Sequence, residues 1–244
     1  MAAVRDRLIV SLMLLTIVGA CLSIFLGSAA MIEYDQFAVV FTAGGLRFAG
    51  ALGLILFAVF FIRRSFDNKD VEYLLSRPLS RTSFLLSHAV AFSMIAVLLA
   101  LVIGLAVVAV RPFGMGMGHV LWVVSLMAEF VIVINAALFF SMVLTSAASS
   151  ALAVMGLYVL ARLMGQLLGI AGVAMSVPGL PVLQYAMQIV SMVTPRLDLM
   201  AQTTWLVYPD QIGNVNLTFI IFQGIFYTML LLAASLVDLN RRQF

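Results

Sequence analysis

The amino-acid sequence predicts an all-α integral membrane protein with six transmembrane helices. Of its 244 residues, 64% are hydrophobic and 9% are charged, whereas soluble domains are typically about 45–50% apolar and about 25% charged. The mean hydropathy of +1.19 points the same way. The polar residues are too few to form the surface of a water-soluble protein. A soluble enzyme, a disordered protein and a nucleic-acid-binding domain are therefore excluded.

Six apolar segments are long enough to cross a bilayer, whose core of about 30 Å needs about 20 helical residues. Their apolar character is continuous and lacks the alternation of barrel strands, which favours helices. The predicted spans cover residues 8–30, 43–62, 84–110, 120–144, 150–174 and 215–237. Since neither an internal repeat nor a polar linker divides them, we expect one domain over residues 1–244.

The lysines and arginines predict the orientation, because they accumulate on the cytoplasmic side. With both termini inside, the outer loops carry only Arg111 and Arg196, and two further arginines lie inside spans. The remaining nine are then cytoplasmic: Arg5, Arg7, Arg63, Arg64, Lys69, Arg77, Arg81, Arg241 and Arg242. The sequence therefore predicts a multi-pass protein with both termini in the cytoplasm.

The first apolar segment has a second interpretation. Arg5 and Arg7 precede an apolar run that ends in small residues, as in a cleaved secretory signal. The apolar part of such signals is about 7–15 residues long, whereas residues 8–30 are enough for a full span. We therefore expect a retained first span.

A short amphipathic helix is predicted in the loop between the second and third spans, at about residues 67–77. Asp67 suits an N-cap, and Pro78 ends the helix. One face is apolar and consists of Val71, Leu74 and Leu75. We expect this helix to lie at the cytoplasmic membrane surface.

The same loop contains the run Glu72-Tyr73-Leu74-Leu75-Ser76-Arg77-Pro78-Leu79-Ser80-Arg81. It resembles the first cytoplasmic loop of type-2 ABC exporter permeases, in which an acidic residue, a Leu-Leu-Ser/Thr-Arg-Pro stretch and a Ser-Arg follow the second span. The layout is similar too, with six spans, internal termini and a longer outer segment before the last span. The most similar branch is the permease class of multicopper-enzyme maturation, including the nitrous-oxide reductase maturation permease.

The resemblance implies that this loop is a coupling helix that docks onto a separate ATPase subunit. The docking residues would be Glu72, Leu74, Leu75 and Arg77. It also implies two ATPase copies that bind ATP and magnesium, and a second permease copy, either identical or related. The protein would then be an exporter permease of the bacterial inner membrane that moves a substrate out of the cytoplasm or the inner leaflet.

The chain itself lacks a phosphate-binding G-x-x-x-x-G-K-[ST] loop, and its one lysine is Lys69. We therefore expect no ATP hydrolysis, no catalytic residue and no cofactor on this chain. Two other functions fit the residues alone. A secondary carrier or channel would use Arg162 and Glu129 for gating or proton coupling, whereas a non-transporting assembly subunit would need the charges only for structure.

Several polar side chains fall inside predicted spans, where an ionisable group costs about 2.5–3.5 kcal/mol on insertion scales. Glu129 and Arg162 lie at depths that differ by about 4–5 Å at 1.5 Å per residue, which predicts a pair between the fourth and fifth spans. They would either form a structural ion pair or line a translocation path, together with Asn135. Arg47 lies near the outer end of its span, so we expect it to snorkel or to meet Glu33 or Asp35.

The fifth span contains a ladder of small residues, which lets another helix approach closely. In the family that the chain resembles, the first and fifth spans line the interface between the permease halves. The ladder is therefore a predicted subunit interface, with ordinary packing inside one subunit as the alternative. It consists of Ala161, Gly165 and Gly169.

The segment 176–214 is less apolar and contains four prolines, which predicts two short helices on the outer leaflet. Trp205 and Tyr208 suit the membrane interface there. The resemblance implies an external gate, although a passive cap fits as well. In the preceding outer loop, Met115, Met117 and His119 carry ligands that suit Cu(I), but the pattern is short, and we expect no metal site.

Overall fold

The structure is a computed structural model that describes residues 17–19, 21, 34–67, 81–110, 116–173, 181–208 and 217–241. Its helices are α1 (Tyr34–Asp67), α2 (Arg81–Val110), α3 (Met117–Val143), α4 (Ala147–Val173), α5 (Pro181–Val193), α6 (Thr204–Val207) and α7 (Leu217–Arg241), and Leu197–Leu199 forms a 3₁₀ turn. Over these ranges there is no strand, which confirms the all-α class.

Five helices, α1, α2, α3, α4 and α7, are long and apolar enough to cross a membrane. They correspond to the second to sixth predicted spans, and four of them agree with the predicted bounds to within four residues. The exception is α1, which begins at Tyr34, nine residues before the predicted span, and ends at Asp67, five residues after it. At its start the helix includes the apolar residues 37–41, and at both ends it also continues through polar residues because its hydrogen bonds are internal.

Two predicted elements fall mainly outside the described residues. Of the first span, 8–30, only residues 17–19 and 21 are described, and they are helical. The coupling helix at 67–77 is not described beyond its first residue. That residue, Asp67, is the last residue of α1 rather than an N-cap, because α1 extends further than its apolar part.

Helix α3 is the centre of the bundle and packs against α1, α2, α4, α6 and α7. It is predominantly apolar around its circumference, as a helix surrounded by others is, and Trp122 and Phe130 are completely buried. The packing against α1 is close: a β-carbon at Gly50 would lie 2.8 Å from Phe130 and 2.9 Å from Ile103. A larger residue at Gly50 would therefore push α1 away from the core.

The connection between α3 and α4 is a tight turn at residues 144–146, and we call this end of the bundle the turn end. Arg63, near the end of α1, donates hydrogen bonds from Nη1 to the Leu144 carbonyl oxygen at 3.0 Å and from Nη2 to that of Thr145. The guanidinium thus ties α1 to the turn. The distribution of arginines in the sequence predicts that the turn end is cytoplasmic.

Candidate functional site

Residues 194–208 connect α5 to the region before α7, and we call them the anchored segment. Its backbone is mostly irregular, yet Leu197, Met200 and Ala201 have no exposed surface and Trp205 is 2% exposed. Irregular backbone at such depth leaves N–H and C=O groups that water cannot satisfy, so other protein groups must bind them. The described helices supply these partners.

Arg162 of α4 binds the carbonyl groups at the end of the 3₁₀ turn. Its Nη1 donates to the carbonyl oxygens of Leu197 and Met200, the latter at 2.6 Å. These carbonyls lie where a helical turn ends, and they carry partial negative charge. The guanidinium therefore caps the turn and holds it against α4.

Three further side chains converge on the backbone of Ala201. Arg47 of α1 donates from Nη1 to its carbonyl oxygen at 2.6 Å, and Trp122 of α3 donates from Nε1 to the same oxygen at 3.1 Å. The N–H of Ala201 donates to Oγ of Ser125 at 2.7 Å. Ala201 has a φ of 44°, which is costly for a residue other than glycine. The surrounding contacts hold this conformation.

Glu129 of α3 supplies the negative charge of the cluster and has no exposed surface. Its Oε2 lies 3.6 Å from Nη1 of Arg162, and its Oε1 accepts a hydrogen bond from the Tyr158 hydroxyl at 3.0 Å. Arg47 also interacts with it electrostatically. The structure thus brings together Glu129 and Arg162, which the sequence pairs, and adds Arg47 and Tyr158.

A second ion pair stabilises the anchored segment from within. Arg196 donates from Nε and Nη2 to the two carboxylate oxygens of Asp198 at 2.9 and 2.8 Å. This hydrogen bonding raises the pKa of the Arg196 guanidinium above its ordinary value. Asp198 in turn lies against α4, where a β-carbon at Gly165 would be 2.7 Å from its Oδ2.

The contact of Asp198 with Gly165 lies on the small-residue ladder of α4, for which the sequence predicts a subunit interface or packing within one subunit. Gly165 packs against the anchored segment of its own chain, and Ala161 is completely buried within the bundle. These two residues therefore pack within the chain, and the subunit interface stays a prediction. At Gly169 an added β-carbon meets nothing within 4 Å, so this position alone in the ladder stays open.

Asn135 does not join the charged cluster. It lies six residues beyond Glu129 on α3, about 9 Å further towards the turn end. Its Nδ2 donates to Ser93 Oγ of α2 at 3.0 Å and to the Val131 carbonyl oxygen at 2.8 Å. The three polar residues that the sequence groups as a path therefore form two separate sites.

One other prediction at this end of the bundle was wrong, and one falls partly outside the described residues. Arg47 lies thirteen residues from the start of α1 and binds the Ala201 carbonyl, whereas the side chains of its predicted partners Glu33 and Asp35 are not described. Trp205 is buried in the bundle rather than placed at a membrane interface. Tyr208 is 47% exposed, and its hydroxyl donates to Oε1 of Gln36 at 3.3 Å.

The other residues predicted from the sequence are those for ATPase docking and those with possible copper ligands, and the structure describes only some of them. Glu72, Leu74, Leu75, Arg77 and Met115 lie outside the described residues. Met117 is 69% exposed and His119 is 5% exposed, so these two side chains have different surroundings. Across the described ranges, no group of three or more His, Cys, Asp or Glu residues could hold a metal ion.

Sequence reasoning missed Trp122, Ser125 and Tyr158 as partners of the cluster. A signal for two of them exists, because Trp122, Ser125 and Glu129 follow helical spacing and share one face of α3. The side chains of this cluster bind the irregular backbone of the anchored segment and hold it against the helices. Each arginine binds carbonyl groups through its Nη1, and Nε of Arg47 is buried without a hydrogen-bond partner. No known protein family matches the chain, and no curated protein matches it.

Proposed function

We propose that the chain is the permease subunit of an ATP-driven ABC exporter and works with a separate ATPase. The observation that carries this proposal is the run 72–81, which stands between two helices that can each cross a membrane. The proposal includes a first span before α1, a coupling helix after Asp67 and an inner-membrane location with both termini in the cytoplasm. ATP and magnesium would bind the partner.

The contacts at the turn end support this proposal. The proposed docking residues lie between the last residue of α1, Asp67, and the first residue of α2, Arg81. A partner that moved them would act directly on α1 and α2, and through Arg63 on the turn between α3 and α4. One docking event would then move four spanning helices as rigid bodies.

The charged cluster supports an exporter over a carrier gated by Arg162. In a carrier of that kind, the arginine would change partners during each cycle. Here its Nη1 is bound to two carbonyl groups and lies near Glu129, and the same carbonyls have no access to water. Releasing it would leave the buried Met200 carbonyl and the Glu129 carboxylate without this partner, which is costly in an apolar environment, whereas the Leu197 carbonyl keeps the N–H of Met200.

The test is affinity purification from native membranes. The wild-type chain should recover an ATPase subunit. The variant Glu72→Arg with Leu75→Asp should lose it, because it reverses the charge at position 72 and replaces the apolar side chain at position 75 with a charged one. The control, Glu72→Asp with Leu75→Met, keeps charge and apolar volume at the same positions and should retain the ATPase. All variants should remain monodisperse and equally helical.

Failure to recover an ATPase with the wild-type chain, under conditions that preserve other membrane complexes, would contradict the proposal. Equal recovery with the charge-reversed variant would contradict the role of the loop. The isolated chain would then be tested for carrier activity in vesicles.

A further inference from the structure

A groove runs along the surface of the bundle between α2 and α7, and we call it the α2–α7 groove. Its α2 side consists of residues at helical spacing from Leu86 to Leu98, and its α7 side consists of Thr228 and Leu232. The groove has a volume of about 430 Å³. It extends over about 18 Å at 1.5 Å per residue, somewhat more than half the thickness of a bilayer core. Because both helices can cross a membrane, the groove opens towards lipid.

The groove exists because small residues of α2 form its floor and larger ones form its rim. Ala89 is 3% exposed, whereas Val90 and Met94 are 59% and 62% exposed. On the other side, α7 packs closely against α3, since a β-carbon at Gly224 would lie 3.2 Å from that of Ala128. Helix α7 therefore rests on α3, and the groove remains between α7 and α2.

The lining is apolar even where a residue carries a hydroxyl group. The Oγ1 of Thr228 is buried without a hydrogen-bond partner, so this residue meets the groove with its carbon atoms. Ser93 also lines the groove, and its Oγ accepts the hydrogen bond from Nδ2 of Asn135 at 3.0 Å. A ligand in the groove would therefore contact mainly carbon atoms.

The width of the groove decides what can occupy it. Its volume divided by its length gives a cross-section of about 24 Å², or a width of about 5 Å. A methylene chain is about 4 Å wide, the contact distance between carbon atoms. An α-helix with its side chains is about 10–12 Å wide. The groove therefore fits one hydrocarbon chain and is too narrow to seat a helix of another protein.

The position of the groove along α2 indicates the leaflet from which a chain would enter. The 30 residues of α2 extend over about 45 Å, the thickness of a bilayer with its headgroups. Leu86 lies about 7–8 Å from the first residue, Arg81, where the hydrocarbon core begins. The exposed Thr82 and Ser83 lie at the level of the headgroups. A chain would therefore enter from the leaflet at the turn end.

The opposite end of the groove, near the bilayer centre, is not closed. Thr228 also lines a second depression between α3 and α7, which has a volume of about 310 Å³ and extends to Ile221. The end of a chain longer than the α2–α7 groove therefore has room beyond it.

We propose that the α2–α7 groove binds one acyl chain of a membrane phospholipid from the leaflet at the turn end. On a flat helix surface such a chain contacts protein on one side, whereas in the groove it gains dispersion contacts on three sides along its length. An empty groove would forfeit these contacts. The inference goes beyond the proposed function, because the site does not depend on an ATPase or on transport.

Mass spectrometry of the detergent-purified chain under non-denaturing conditions tests this proposal. The wild-type chain should retain one phospholipid. Val97→Trp on α2 and Leu232→Trp on α7 fill the groove from opposite sides, and each should abolish retention. The matched control Val102→Trp adds the same volume at a half-buried valine of α2 outside the groove, and it should retain the lipid.

All variants should remain monodisperse and equally helical, and the two groove variants lie on different helices, so one remains if the other fails to fold. Equal retention in the wild type and both groove variants would overturn the proposal. Adducts of detergent alone on the wild-type chain would overturn it too, because the groove would then be an ordinary apolar surface.

Electron spin resonance in phosphatidylcholine vesicles gives a second measurement without detergent. A phosphatidylcholine that carries a spin label on its acyl chain should show a larger motionally restricted fraction with the wild type and Val102→Trp than with the two groove variants. The difference should correspond to one lipid per chain. An equal restricted fraction in all four proteins would contradict the proposal.

Neither measurement requires an ATPase, so the two proposals fail separately. If the lipid is retained and no ATPase is recovered, the lipid site stands and the exporter does not. If an ATPase is recovered and no lipid is retained, the exporter stands and the lipid site does not.

Discussion

Two arginines of α1, sixteen residues apart, perform the same task at opposite ends of the bundle. Arg63 binds the carbonyls of Leu144 and Thr145 at the turn end, and Arg47 binds that of Ala201 in the anchored segment. The two ends differ in burial, since Thr145 is exposed and Ala201 is completely buried. Water can therefore replace Arg63, whereas without Arg47 the buried carbonyl oxygen of Ala201 keeps only the indole N–H of Trp122 and gains no water.

The anchored segment also differs from the turn end in its charge. A second arginine, Arg162, and a buried carboxylate, Glu129, take part there. Buried charges are stable only when paired and hydrogen-bonded, and removing one partner costs far more than the pair itself contributes. We therefore expect the loss of a side chain that holds the anchored segment to cost more than the loss of Arg63, and the following predictions test that difference.

The largest effect should come from Arg162→Met. It leaves Glu129 without its ion-pair partner and the buried Met200 carbonyl without its guanidinium donor, whereas the Leu197 carbonyl still accepts from the Met200 N–H. The free energy of unfolding should fall by about 3–5 kcal/mol. SDS-induced unfolding in mixed micelles measures this. The double variant with Glu129→Gln should recover part of the loss, and a single-variant cost below about 1 kcal/mol would show that the pair is not buried.

A smaller effect should follow from Ser125→Ala, which removes the acceptor for the buried N–H of Ala201. We expect a loss of about 1–3 kcal/mol in the same unfolding assay. Ser235→Ala is the control, because that hydroxyl donates only within its own helix, to the Leu231 carbonyl oxygen at 2.8 Å. Equal costs for the two serines would mean that the contact with Ala201 adds nothing.

At the turn end, Arg63→Met should cost about 0.5–1.5 kcal/mol, the range of an ordinary hydrogen bond whose partner can turn to water. Arg47→Met removes the corresponding arginine at the other end of α1, and it should lower the free energy of unfolding by more than Arg63→Met does. If the two costs were equal, burial of the carbonyl would not be the deciding factor.

The smallest effect should be that of Ala201→Gly. Glycine relieves a left-handed conformation that costs alanine about 1–2 kcal/mol, and it loses a buried methyl group worth about 0.8 kcal/mol. We expect a change between zero and a gain of about 1 kcal/mol. Ala136→Gly within α3 should instead lose about 1–2 kcal/mol, since both contributions are then unfavourable.

Much of the fold could be predicted because an apolar run of about 20 residues forms a helix that spans a membrane. Five predicted spans appear as helices, and the pairing of Glu129 with Arg162 follows from their depths. The start of α1 was missed because the 20 residues of the predicted span are by themselves enough to cross a bilayer, although residues 37–41 before it are also apolar. The burial of Trp205 was missed because an aromatic residue near a helix end suits an interface and a core equally well.

The sequence by itself determined that the protein is helical, belongs in a membrane and carries an asymmetric distribution of arginines, since each follows from composition and local pattern. Only the tertiary structure decided what the buried arginines do. Arg47 binds a carbonyl 154 residues away and Arg162 binds one 35 residues away. Every residue has such a carbonyl, so no residue type marks the partner, and only the fold selects it.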